Sequence, residues 1–113
     1  MKLAFLSTLA IVAASAFASV PAMADEHQCL ASQVLVFSNR VHVKCSNPVN
    51  SIAYFALPLT DATLVDRFLR IANAALLSEK KMWVGYTAND TSGTAFGCLA
   101  GDCRKLTYFG SIK

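Results

Sequence analysis

Apolar residues follow two different patterns along the chain. From Leu3 to Ala18 they form a run broken only by small hydroxyl residues, whereas beyond Asp25 they come in short segments with a definite period. Residues 33–38 (Gln-Val-Leu-Val-Phe-Ser) are β-branched and aromatic and end at Ser38-Asn39, which predicts a strand stopped by a turn. Residues 41–45 alternate strictly, with Val41, Val43 and Cys45 on one face and His42 and Lys44 on the other, the pattern of a half-buried antiparallel strand. The short link between the two predicts a hairpin. After the turn formers of residues 46–51, residues 52–57 read as a third strand stopped by Pro58.

From Asp61 the period changes to that of a helix. Leu64, Val65, Phe68, Leu69, Ala72, Ala75 and Leu76 share one stripe, and Asp66, Arg67, Arg70 and Asn73 take the other side. Thr60 or Asp61 can cap the start, and Lys80 and Lys81 suit the C-terminal end of the dipole, so the helix is expected over 61–78. Residues 81–87 give a fourth strand, residues 88–97 a polar loop, and residues 104–109 a fifth strand. The order strand-strand-strand-helix-strand-strand predicts a mainly β domain with one helix, a five-stranded OB-like barrel whose helix plugs one end. A helix lying on an open antiparallel sheet is the other arrangement that buries the stripe.

Composition separates the leader from the domain. The chain of 113 residues is 55 % hydrophobic with a mean hydropathy of +0.46, but 18 of the first 24 residues are apolar against 44 of the remaining 89. Lys2, the apolar run and the Ala-x-Ala site at Ala22-Met23-Ala24 after Pro21 match a cleaved signal peptide, residues 1–24. A membrane anchor is the rival reading, since the run approaches the lower length limit of a span. Cleavage would leave a single domain, residues 25–113, in the periplasm or outside the cell, with no membrane span.

Export places the four cysteines in an oxidising compartment, where an even number reads as two disulfides. Cys98 and Cys103 enclose only Leu99-Ala100-Gly101-Asp102 and can close locally, which leaves Cys29 with Cys45. Zinc is the weaker alternative, because Cys29 and Cys45 lack a matching close pair and His27 and His42 show no ligand spacing. The sequence calls for no cofactor and no metal.

Charge adds little. Residues 25–113 carry nine Lys and Arg against seven Asp and Glu, a net of +2 spread along the chain, which argues against a nucleic-acid groove built on Arg104, Lys105, Trp83 and Tyr108. Catalysis needs a nucleophile or metal near a base and an orienting group; with the cysteines paired and the two histidines in unrelated contexts, the chain is expected not to be an enzyme. The candidate ligand-binding residues are Trp83 and Tyr86, running into Asn89 and Asp90, since aromatic faces beside amide and carboxylate groups bind sugars. Packing of one aromatic in the barrel is the structural alternative. His42 is expected to be an exposed surface histidine.

On these features the chain resembles the B subunits of pentameric bacterial toxins of the subtilase-cytotoxin and typhoid-toxin type: export, mature length, two disulfides, the element order and the Cys98-x4-Cys103 ring. It is more closely similar to small exported bacterial proteins of unknown role, in which a Cys-ended strand, a Tyr54-Phe55-Ala56 strand and a Gly97-Cys98…Asp102-Cys103-Arg104 ending recur. The first resemblance implies a binding module for a glycan or another exported protein that assembles into homo-oligomeric rings. The alternative is a monomeric periplasmic structural or accessory protein with no glycan ligand. No sugar-contacting residue of the toxin subunits is carried over to a position of this sequence, and Cys29 is expected to precede the first strand, a departure from their strand-to-strand disulfide.

Overall fold

A computed structural model describes residues 25–113 as a curled sheet with one helix; the expected signal peptide, residues 1–24, lies outside the described residues. The elements are β1 (Asp25–Val36), β2 (Arg40–Val49), β3 (Ile52–Pro58), α1 (Ala62–Ser78), β4 (Lys81–Tyr86), a 3-10 turn (Ser92–Phe96), β5 (Cys103–Lys105) and β6 (Tyr108–Ser111). Six strands form one sheet in the order β5-β3-β2-β1-β4-β6, where five were expected.

The first difference lies in β1, which begins at Asp25 and not near residue 33. Its first half pairs with β4, from Asp25 opposite Tyr86 to Leu30 opposite Lys81, and its second half pairs with β2. Residues 25–32 carry few strand formers, so long-range pairing and not local propensity makes them a strand. The handover from β4 to β2 falls at a register shift between Ala31 and Gln33. There the Asn47 side chain supplies bonds that the ladder does not: its Oδ1 accepts from Leu30 N at 2.8 Å, and its Nδ2 donates to Gln28 O at 2.8 Å. Cys29 therefore sits inside a strand, and its disulfide to Cys45 joins two neighbouring strands, correcting the expectation that it precedes the sheet.

The second difference is at the C-terminal end, where the expected fifth strand is two. β5 runs parallel to β3, with Tyr54 opposite Cys103 and Ala56 opposite Lys105, and β6 runs antiparallel to β4. Between them Leu106 N donates to Ala56 O at 2.9 Å and Thr107 N donates to Gly85 O at 2.8 Å. The last strand thus passes its hydrogen bonds from one end of the sheet to the other across two residues. This curls the sheet into a half-barrel. Gly85 is required where the Tyr108 ring lies flat across it, since a Cβ there would come within 2.2 Å of that ring.

The helix matches its sequence pattern. Asp61 caps it through Leu64 N at 3.0 Å, and Glu79 closes it in the left-handed region at φ 58°. Phe68, Ala72 and Ala75 are buried against the concave side of the sheet, with the Phe68 ring edge-on to Phe109 at 5.3 Å. Val41, Val43, Phe55, Met82 and Val84 complete the core. Among the described residues no helix is long and apolar enough to cross a membrane.

Candidate functional site

The convex face of β1, β2 and β3 carries a groove lined by polar and aromatic side chains. Alternation turns Arg40, His42 and Lys44 away from the core. Leu35 lies opposite His42 and Gln33 opposite Lys44 on β1, while Ala56 and Tyr54 stand opposite the same two residues on β3. A flat polar sheet face would normally be solvated. Here the Cys98–Cys103 disulfide ring folds over it: Asp102 O accepts from both Ala53 N and Tyr54 N at 3.0 Å, and Cys98 and Cys103 pack on the buried Ala56. Sheet, hairpin end and ring border an open groove of about 300 Å³.

His42 lies at its centre and is only 6 % exposed, which corrects the expectation of a surface histidine. Alternation predicted the direction of the side chain correctly, but the ring that covers it comes from far along the chain. Phe37 stands edge-on to the imidazole at 5.1 Å and Tyr54 is tilted against it at 5.0 Å. The Arg40 guanidinium rests over the Phe37 ring at 4.0 Å, and the Lys44 ammonium lies 5.7 Å from the centre of the Tyr54 ring. Gly97, at φ 94°, allows the close approach of the ring to Arg40, since a Cβ there would fall 2.6 Å from Arg40 Nη1.

Two buried nitrogens in this groove lack hydrogen-bond partners among the described residues: His42 Nε2 and Arg40 Nε. Arg40 is not paired with any described carboxylate; its one side-chain bond runs from Nη1 to Asn39 Oδ1 at 3.0 Å. Burial, and after it the neighbouring guanidinium of Arg40, hold the His42 imidazole below its ordinary pKa, against a smaller opposing effect of Asp102. The ring is therefore neutral at pH 7 and offers Nε2 as a donor or an acceptor according to its tautomer. A buried polar atom without a partner costs stability, and ligand sites are a common place for one.

The residues singled out from the sequence do not converge. Tyr86 is buried in the core with its ring 5.1 Å from Phe55. Trp83 points to the opposite side of β4, beside Glu26 and Tyr108, where the Glu26 carboxylate accepts from the Tyr108 hydroxyl and pushes its pKa up to about 12. Asn89 is exposed in the turn after β4; Asp90 accepts from Ser92 N at 2.9 Å and lies 3.9 Å from Lys105 Nζ. Those bonds from Ser92 hold the Asp90 carboxyl below its usual range. Arg104 is engaged by backbone carbonyls, donating to Ala88 O and Ala100 O at 2.7 Å. The four cysteines form the two expected disulfides, Cys29–Cys45 and Cys98–Cys103. Among the described residues no three His, Cys, Asp or Glu side chains gather as a metal site would require. His27 stands apart from His42, bonded through Nε2 to Asn47 O at 2.6 Å.

The sequence missed the groove because its walls come from four separate segments. Phe37, Arg40 and His42 share one hairpin, and that local cluster was the available signal. No protein-family model matches the chain, and no characterised protein is significantly similar to it in sequence.

Proposed function

We propose that this protein is an exported, non-catalytic binding module with an OB-like sheet, and that it takes its ligand in the groove over His42 and not at the Trp83 loop. The observation that carries the reading is an open, aromatic-walled groove beside a buried imidazole nitrogen that has no partner among the described residues. A saccharide suits such walls: its C–H faces stack on Phe37 and Tyr54, while Gln33, Asp102 and His42 exchange hydrogen bonds with hydroxyls. The strand order and the passage of hydrogen bonds from β3 to β4 support the OB-like assignment. Two disulfides support an oxidising compartment, the periplasm or the exterior.

The test is a glycan array probed with residues 25–113, wild type and Tyr54→Ala. Binding that the substitution removes is expected, and an array on which the wild type binds nothing sinks the sugar reading. Ring formation rests on a separate observation, the exposed apolar end of the β1–β2 hairpin, where Val36 is 61 % exposed. Light scattering on the purified domain is expected to give an oligomer. A strict monomer would favour the alternative of a monomeric periplasmic accessory protein.

A further inference from the structure

The other half of the convex face carries a second slot, built on β1, β4 and β6. Register sets six residues on a grid there: Glu26, Gly85 and Tyr108 stand in line across the three strands, and Gln28, Trp83 and Gly110 form the next row. Two of the six are glycines, and each shapes the surface. Over Gly85 the Tyr108 ring lies flat and reaches the Glu26 carboxylate, which accepts from its hydroxyl. At Gly110 a Cβ would meet nothing within 4 Å, so the corner between Trp83 and Tyr108 is open. Glu26, Trp83, Tyr108, Phe109 and Gly110 border an open slot of about 310 Å³.

Its walls carry one negative charge and two aromatic rings. Among the described residues no Lys or Arg pairs with Glu26, and no ring stacks on Trp83 or Tyr108. Lys81, on the same face of β4, stands opposite Leu30, four residues from Gly85 and about 13 Å along the strand. The Tyr108 hydroxyl takes one acceptor site of the carboxylate and leaves others for a second donor. A ring face attracts a cation, and a guanidinium, planar and weakly hydrated, stacks on the ring while its N–H edge donates to a carboxylate. We infer that this slot binds the guanidinium group of an arginyl ligand, stacked on the Tyr108 ring beside Trp83 and donating to Glu26. The slot shares no lining residue with the groove over His42, so the two sites stand or fall separately.

Trp83 is the only tryptophan of the chain, so its emission reports on the slot directly. The disulfide-bonded domain is titrated with N-acetylarginine amide and with N-acetylcitrulline amide, whose ureido group has a similar shape and no charge. A saturating change in Trp83 emission is expected with the arginine probe, at a dissociation constant on the order of 1 mM, the scale of one cation–π contact and one charge-assisted hydrogen bond. Affinity about tenfold or more lower is expected for the citrulline probe, and for the arginine probe with Glu26→Gln. Equal affinity for the two probes overturns the inference, as does unchanged affinity in Glu26→Gln or an emission unmoved up to about 50 mM arginine probe. If Glu26→Gln does not fold, the two probes on the wild type decide. A glycine–serine peptide with one central arginine separates the sources of the group: tighter binding than the amide points to an arginine in a partner's chain, equal binding to a small guanidinium compound, and both uphold the inference.

Discussion

At the scale of single residues, His42 shows how a stability cost can mark a site. Its Nε2 is buried and unbonded, which costs on the order of 1–3 kcal/mol for a desolvated polar atom. His42→Phe removes that atom while keeping a ring against Phe37 and Tyr54. It is expected to raise unfolding stability in urea by about 1 kcal/mol and to abolish ligand binding. The same residue sets a pH dependence. Because its folded pKa lies below the ordinary 6.5, the unfolded chain takes up the proton first as pH falls, so its contribution to stability is whole above pH 6.5 and is lost below it. Urea midpoints measured downward from pH 7 should therefore fall more steeply in wild type than in His42→Phe, and parallel curves would refute the assignment.

Asn47 and Gly85 act through the sheet. Asn47→Ala leaves Leu30 N and Gln28 O without their side-chain partners where β1 changes neighbours, and is expected to cost about 1–3 kcal/mol in the same assay. Gly85→Ala collides with the Tyr108 ring and forces it off the strand. Its expected signature is a loss of about 1–3 kcal/mol together with a fall of the Tyr108 titration from about 12 toward the ordinary 10, as the ring leaves Glu26.

At the scale of elements, the helix was legible because its information is local. An apolar stripe of period 3.6 buries Phe68, Ala72 and Ala75, and the Asp61 cap follows from one side chain reaching Leu64 N. Asp61→Ala should lower stability by about 1 kcal/mol. Arg70→Ala removes an exposed pair with Asp66, 3.0 Å apart and more than half solvated on both sides, and should change it by less than about 0.5 kcal/mol. The strands were legible only where they alternate. β2 satisfied that condition; the first half of β1 did not, since His27, Gln28 and Cys29 are weak strand formers held by β4. The division of the last strand was also hidden, because the change of partner at Leu106 and Thr107 depends on where Ala56 and Gly85 stand in space.

At the scale of the whole molecule, the two disulfides do different work. Cys29–Cys45 closes a 16-residue separation across β1 and β2, for which chain entropy gives roughly 3 kcal/mol. Cys98–Cys103 closes a separation of 5 and holds the wall of the groove. The double substitution Cys29→Ser with Cys45→Ser is accordingly expected to lower Tm the more, and Cys98→Ser with Cys103→Ser to weaken ligand binding the more. Scanning calorimetry and a binding titration on both variants separate the two effects, and equal losses of affinity would refute the division.

The sequence by itself determined the helix, the hairpin of β1 and β2, the content of one helix in a mainly β domain, and the pairing of the cysteines. Each of these rests on contacts between near neighbours or on covalent alternation, which fixes the side of a strand that a residue faces. It could not determine whether that side is covered. His42 was assigned outward by the alternation of β2 and is buried because the Cys98–Cys103 ring, bonded to Ala53 and Tyr54 through Asp102, returns over it. Trp83 and Tyr86 were neighbours in sequence and are separated by the thickness of the sheet. Burial and the meeting of four segments in one groove are properties of long-range packing, and only the tertiary structure decided them.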